Sequence, residues 1–476
     1  MTRLSSFVAC LLFSSSASAA DFHVSPNGSD ENPATAAAPV QSLEKARDLA
    51  RAARKATPDE PIHILLHPGI YMIRKTVVFT KDDSGTESAP LTIRAWKDAK
   101  SPDDWPKLVG GVVVSEWKKS SLSNAALSAA GGQVFEADLK PLAINGKFRQ
   151  IYLNGTRQIW ARYPNYDPAL PYSGGWAYVH GERLPMYKDI EGERIDTVVL
   201  REKDVRQWSR PTDGEVCIFP RYNWSNNIIQ IKEIDAATRT ITLTKNMRYA
   251  ARPEDRYAVF GMQEELDAPG EWYQDVEGQK LYFLPPRSLE GTVVTVPTVN
   301  NILEFWGTSN VVIRGLEFTC AETCAVRLHK CERVVIEKSL VHDLGYFHGA
   351  GITIYRGHNC TVRGCDLWNL GGHGVSVHGS DNVKMEKCNP AVENCYVHHV
   401  GQFNRHGIGL NLGSCGVRLS HNLIHDMPRC GIFYGGILHT IEYNRIRHCN
   451  LEMEDTGCTY GGGWAGGWTT IRYNHC

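Results

Sequence analysis

Glu452, Glu454 and Asp455 stand almost side by side in CNLEMEDTGCTY (449–460), followed by a glycine and then by Tyr460. Carboxylates this close repel one another, and a purely structural segment usually spreads them out. Paired carboxyl groups are what hydrolysis of a glycosidic bond requires. One protonates the leaving oxygen and the other acts as base or nucleophile, about 5–5.5 Å away for retention or about 6.5–9.5 Å for inversion. The three acids are therefore the candidate catalytic residues. Glu452 and Glu454 flank Met453, so one of them reads equally well as solvent-facing.

What must position them is a repeat. From residue 312 onward a short theme recurs as VIRGLEF, VIEKSLVHDL, TVRGCDLWNL, AVENCYVHHV, VRLSHNLIHDM, TIEYNRIRHC and TIRYNHC. One aligned column holds Leu316, Ser339, Cys365, Cys395, Asn422, Asn444 and Asn474; another holds Phe318, Val341, Leu367, Val397, Ile424 and Ile446. The period lies irregularly in the twenties, with strand-like alternation and no helical periodicity, which predicts a right-handed parallel β-helix. Successive turns of such a coil stack about 4.8 Å apart. Strands one rung apart then offer the shorter carboxylate separation and two rungs the longer.

A glycine column at 351, 374, 407, 431 and 457 begins the strands GITI, GVSV, GIGL, GIFY and GCTY. Two residues before it stand Arg405, Arg429 and Asp455; one before stand His373 and His406. Aligned so, Arg405, Arg429 and Asp455 are neighbours on successive rungs, and the arginines favour an ionised Asp455, suited to act as nucleophile or base. A third column reads Asp343, Asn369, His399, Asp426 and His448. Asp343 and Asp426 follow histidines and read first as turn aspartates accepting backbone N–H bonds. Asp426 is also a candidate second carboxylate and substrate contact. With Arg405, His406, Arg429, His373 and Tyr460 it makes up the expected substrate-binding set, with Trp464 and Trp468 nearby. No ligand spacing repeats among the histidines, so neither a metal site nor a cofactor is expected.

The 476 residues carry a net charge of −1, which disfavours nucleic acid and anionic membrane as partners and leaves a polysaccharide as the expected one. MTRLSSFVACLLFSSSASAA (1–20) has a short basic start, an apolar stretch and a small-residue cleavage site, which predicts an exported protein, secreted or periplasmic, with no membrane span. Residues 21–113 read as an N-terminal cap and first turns, with SLEKARDLARAARK (42–55) as a capping helix. Between 114 and 295 the repeat gives way to alternating segments that predict an inserted antiparallel sandwich, and the coil resumes over 296–476. Of the 14 cysteines, all but Cys10 and Cys217 fall between Cys320 and Cys476. Export favours disulfides and the column positions favour stacked thiols, and the two readings stand level.

DFHVSPNGSDENPATAAAPVQSLEKARDLARA, ILLHPGIYMIRKTVVFTKDDSGTESAPLTIRAW, IYLNGTRQIWARYPN, ELDAPGEWYQDVEGQKLYFLPP, HNLIHDMPRCGIFYGGILHTIEYNRI and EDTGCTY together resemble exported bacterial β-helix proteins of glycoside hydrolase family 141, whose members include α-L-fucosidases and xylanases. The resemblance runs from about residue 21 to the end. It implies that Asp455 is catalytic, since the family's matching segment reads Asp-Thr-Gly-Ala-Ile-Tyr; here Cys458 and Thr459 replace the Ala-Ile pair. The family's second acid lies beyond the segment matching TIRYNHC, where this chain ends, so the resemblance reads the chain as C-terminally truncated, with an exposed last rung. The expected activity is hydrolysis of plant or algal polysaccharide. Two alternatives stand beside it. One is a polysaccharide lyase with a Lys, Arg or His base, in which Glu452, Glu454 and Asp455 would hold calcium. The other is a non-catalytic carbohydrate-binding protein.

Overall fold

A computed structural model describes residues 19–98, 100–101, 104–122, 132–144, 146–462 and 466–476. Residues 1–18 of the segment expected to direct export, and the expected groove aromatic Trp464, lie outside the described residues. Among the described residues no helix is long and apolar enough to cross a membrane.

Three parallel sheets wind into a β-helix. The first, ten-stranded, runs from Ala20–Val24 to Thr470–Arg472; the second runs from Gly69–Met72 to Arg445–Arg447; the third runs from Val77–Phe79 to Thr459–Gly461. Each rung visits them in that order, as in Glu332–Glu337, Leu340–Leu344 and Ala350–Tyr355. α1, Leu43–Ala56, packs on the first strands. Ser42 caps it by accepting from the Lys45 N–H, and Leu43, Ala46 and Ala50 extend the solenoid core.

The second column stacks as its periodicity predicts. Phe318 pairs with Val341, Val341 with Leu367, Leu367 with Val397, Val397 with Ile424, and Ile424 with Ile446, all fully buried. The neighbouring column ends in an amide ladder. Asn422 Nδ2 donates to Asn444 Oδ1 at 2.9 Å, and Asn444 Nδ2 donates to Asn474 Oδ1 at 2.9 Å. The same oxygens accept the Asn422 and Asn444 backbone N–H groups, both at 3.0 Å. Each amide thus closes the corner below while bonding along the coil. All thirteen described cysteines are free thiols, most of them buried in the coil. Stacking therefore accounts for the cysteine-rich columns, and no disulfide joins the described residues.

The glycine column differs from its expected register. Val375 pairs with Leu410, Leu410 with Ile432, and Ile432 with Thr459, which places Gly374, Gly409, Gly431 and Cys458 in line. Both glycines of GIGL are tightly enclosed by backbone, and the strand register puts Gly409 in the column in place of Gly407. A Cβ at Gly374 would lie 2.4 Å from the Gly409 carbonyl oxygen, and one at Gly409 would lie 2.7 Å from that of Gly431. Arg405 and His406 therefore sit further back in their loop, and Arg405, Arg429 and Asp455 do not stack on successive rungs.

The third column keeps its register for a backbone reason. Asp343, Asn369, His399, Asp426 and His448 all have φ between 46° and 53°, the left-handed corner where the chain leaves the second sheet. Asn, Asp and His are the non-glycine types that tolerate that conformation best. Neither aspartate makes a local Asx-turn bond: each bonds the ring of the preceding histidine, and the backbone N–H that Asp343 accepts is that of Arg157 in the insertion, at 3.2 Å.

The chain between Pro106–Val109 of the second sheet and Asn301–Trp306 of the third forms an insertion within a single rung. Gly111–Val114 and Val294–Pro297 pair antiparallel at its base, and among the described residues its four-, five- and seven-stranded sheets enclose two larger apolar cores and a smaller one.

Asn444→Ala removes the acceptor of two Asn422 donors in a buried column. Each orphaned group costs about 1–3 kcal/mol, so urea unfolding should show a clear loss of stability. Arg445→Ala, at the exposed next position, should stay within about 0.5 kcal/mol. Equal midpoints for the two variants would show that the amide ladder contributes nothing.

Candidate active site

The loops from the second to the third sheet vary in length, and the insertion rests on them. Asn226 holds the loop 399–409, donating from Nδ2 to the Phe403 carbonyl at 2.8 Å and accepting the Arg405 N–H at 2.9 Å. Two residues earlier, the Trp224 carbonyl accepts from His406 Nδ1 at 3.0 Å and from Arg429 Nη1 at 2.9 Å. That bond leaves Nε2 as the basic nitrogen of His406. Burial first, and the neighbouring Arg429 charge second, push its pKa below the ordinary histidine value.

Arg429 is buried and reaches both sides of the junction. Besides Trp224 it donates to the carbonyls of Glu454 (3.3 Å) and Asp455 (3.2 Å). The Asp455 side chain itself is exposed, and its Oδ2 accepts from the Tyr460 hydroxyl at 3.2 Å. Partial burial and the Asp455 carboxylate both hold the Tyr460 hydroxyl above the usual phenol pKa. Asp455, Arg429, Tyr460 and His406 are thus brought together, with Arg429 gripping the backbone of Asp455 and not its carboxylate.

Glu452 is placed differently from the expectation for a catalytic acid. Its side chain is closed off from solvent, with Arg256 Nη1 and Arg405 Nε each 3.4 Å from a carboxylate oxygen. Burial raises its pKa against the pull of Arg405, Arg256 and Arg162. Arg256 and Asn223 also bond the Glu452 carbonyl, at 3.2 and 3.1 Å. Glu452 is an internal counter-charge tying insertion to coil, and a carboxylate so enclosed does not reach a substrate. Arg405 joins this knot, and beyond it lines a cavity of about 200 Å³ with Arg162, Tyr166 and Trp176. Glu454 is exposed but turns to another cleft, of about 490 Å³, beside Arg183, Arg221 and Arg252.

Asp426 stands apart, bonded to His425 Nδ1 at 2.5 Å with His399 and His448 near by. His373 uses Nδ1 to accept the Ile408 N–H at 3.0 Å, which makes it a brace for the loop.

The aromatic surface beside Asp455 has no counterpart in the sequence reading. Tyr222 and Trp224 stack with ring centroids 4.3 Å apart, and Tyr249 meets Tyr222 edge-on at 4.9 Å. These rings come from the insertion, where no repeat marks which residues face the coil.

The His373 bond requires a neutral ring. Burial pushes its pKa down to about 3, from an unfolded value near 6.5. Between those values the unfolded chain takes up a proton that the folded chain refuses. Its contribution to stability is complete above pH 6.5 and is lost as pH falls toward 3. His373→Asn keeps an acceptor without the titration. Its unfolding free energy should decline less steeply between pH 6.5 and 4, by about one proton; parallel slopes in wild type and variant would refute this.

Residues 298–389 match the family model described as right handed beta helix region. A pectate lyase, PEL9, of Emericella nidulans is 38% identical over 204 residues, 42% of this chain and 43% of that protein, so the match spans less than half of the relative's length. A solved structure titled glycoside hydrolase superposes with a TM-score of 0.76 at 19% identity, over 93% of this chain and 86% of that one. The structure of XylC with xylose aligns over 90% of this chain and 62% of that one, at a TM-score of 0.46 and 14% identity. With the three stacked parallel sheets, the family match and the first of these superpositions make the coil a right-handed parallel β-helix.

Proposed function

We propose that the chain is an exported carbohydrate-active enzyme, a glycoside hydrolase that binds a polysaccharide across the loops between the second and third sheets. One observation carries the reading. A single buried guanidinium, Arg429, holds both the carbonyl of Trp224 and that of Asp455, so an exposed carboxylate and an aromatic platform are fixed side by side. Sugar rings present apolar faces that stack on Tyr and Trp, and a carboxylate at the edge of such a platform is placed to meet a glycosidic bond.

Within this reading Asp455 is the ionised partner, nucleophile or base. The Tyr460 O–H donates to it and holds one rotamer. Arg429 is a positioning residue, acting through the backbone. Exposed Arg248, next to Tyr249, suits a carboxylate or sulfate on the substrate. The EDTGCTY resemblance to glycoside hydrolase family 141 supports Asp455, and the apolar stretch with its Ala17-Ser18-Ala19 ending supports export.

The similarity to a pectate lyase favours a second reading, β-elimination from a uronate. The base would be His406, kept neutral with Nε2 carrying the lone pair.

Reducing ends and the ultraviolet absorbance of unsaturated products, followed together on plant and algal polysaccharides, separate the two. Hydrolysis is expected: new reducing ends without absorbance, reduced by about 10²-fold or more in Asp455→Asn. Rising absorbance that His406→Ala abolishes and Asp455→Asn spares would replace hydrolysis with elimination. Trp224→Ala should raise KM several-fold while leaving kcat closer to wild type; an unchanged KM would remove the aromatic platform from the substrate's path.

A further inference from the structure

The outer face of the second sheet carries a second group of polar residues, separate from Asp455. Its strands stack His342, Trp368, His398 and His425 ring over ring. At the left-handed corner beside them stand His399, Asp426 and His448 on successive rungs. One donor atom each from His399, His425 and Asp426 lies within 4.8 Å of the others. Around the carboxylate, His425 Nδ1 is 2.5 Å away, His448 Nδ1 3.4 Å and His399 Nε2 3.9 Å.

We propose that His399, His425, His448 and Asp426 form a site for a divalent first-row transition ion of the zinc class. Three imidazoles and one carboxylate are the donor set such ions prefer, and calcium and magnesium prefer all-oxygen sets. With metal–ligand bonds of about 2.0–2.1 Å, ligand atoms of a tetrahedral site sit about 3.4 Å apart. His448 Nδ1 faces the other carboxylate oxygen, Oδ1, at 3.4 Å and joins the three clustered donors by a turn of its exposed ring, and the His399 ring, half exposed, has room to turn inward. The short His425–Asp426 bond is the one an ion replaces. For that His425 must move its proton from Nδ1 to Nε2, and the Tyr396 hydroxyl 2.8 Å from Nε2 accepts from one tautomer as readily as it donates to the other. A ligating histidine whose second nitrogen is held this way is the usual outer-shell arrangement. The open side, where His399 and His448 are half or more exposed, is the path of entry.

The test uses the full chain and Co²⁺, whose visible absorbance reports tetrahedral nitrogen and oxygen ligation without any need for turnover. One saturable Co²⁺ per chain, displaced by Zn²⁺, is expected, with affinity lowered at least about tenfold in His399→Ala and in His448→Ala. Both are surface substitutions that leave the coil's core intact. Asp426→Asn should weaken binding further. Absence of a saturable band would overturn the proposal, and so would a band that survives both histidine substitutions at full affinity.

Discussion

Parallel stacking sets every residue of a rung directly over its counterpart one rung away, about 4.8 Å along the coil. Everything polar on this molecule inherits that spacing. Inside, it aligns Phe318, Val341, Leu367, Val397, Ile424 and Ile446 into one unbroken apolar row, and beside that row it lets Asn422, Asn444 and Asn474 bond amide to amide. At the corner after the second sheet the same stacking repeats a left-handed backbone conformation, and the residue types that tolerate it are the ones that carry charge and protons. A column of Asp, Asn and His thus arises from conformation before any chemistry is asked of it.

The insertion is fastened to this frame mainly through backbone carbonyls. Trp224, Phe403, Glu452, Glu454 and Asp455 all accept bonds from side chains across the junction or beside it. Main-chain acceptors stay fixed where loops are otherwise free to vary, so the aromatic loop is held in place whatever its side chains do. Glu452 adds a buried charge to the same seam, enclosed by Arg405 and Arg256. Burying an ion pair costs desolvation that its attraction offsets only with good geometry, and removing one partner leaves an uncompensated charge inside. The seam is therefore intolerant of change at either end, and that intolerance keeps Asp455 and the Tyr222–Trp224 stack in a constant relation.

Three carboxylates within four residues of sequence meet different fates here. Glu452 turns inward to the arginines, and Glu454 turns to a separate cleft. Asp455, in the left-handed conformation, points out beside Tyr460. Charge repulsion favours their divergence, and the direction is set by partners. Glu452 turns to Arg405 and to Arg256, 196 residues away in sequence, and Glu454 turns to the arginines of the insertion.

The coil, its columns and the existence of an insertion were legible in the sequence, because a solenoid repeats its local pattern and alignment by residue type then becomes alignment in space. The apolar column and the Asn column read correctly to the residue. Reading failed at the glycine column, where GIGL offered two glycines and only the register of the neighbouring strands chose Gly409. It failed again at Arg405 and Glu452, whose partners Arg256 and Arg162 lie in a segment with no period to align. Local pattern determined which residues share a column, since each rung sees only its neighbours. Tertiary structure decided which carboxylate meets solvent and which aromatic rings stand beside it, since those depend on a distant segment folding back over the loops.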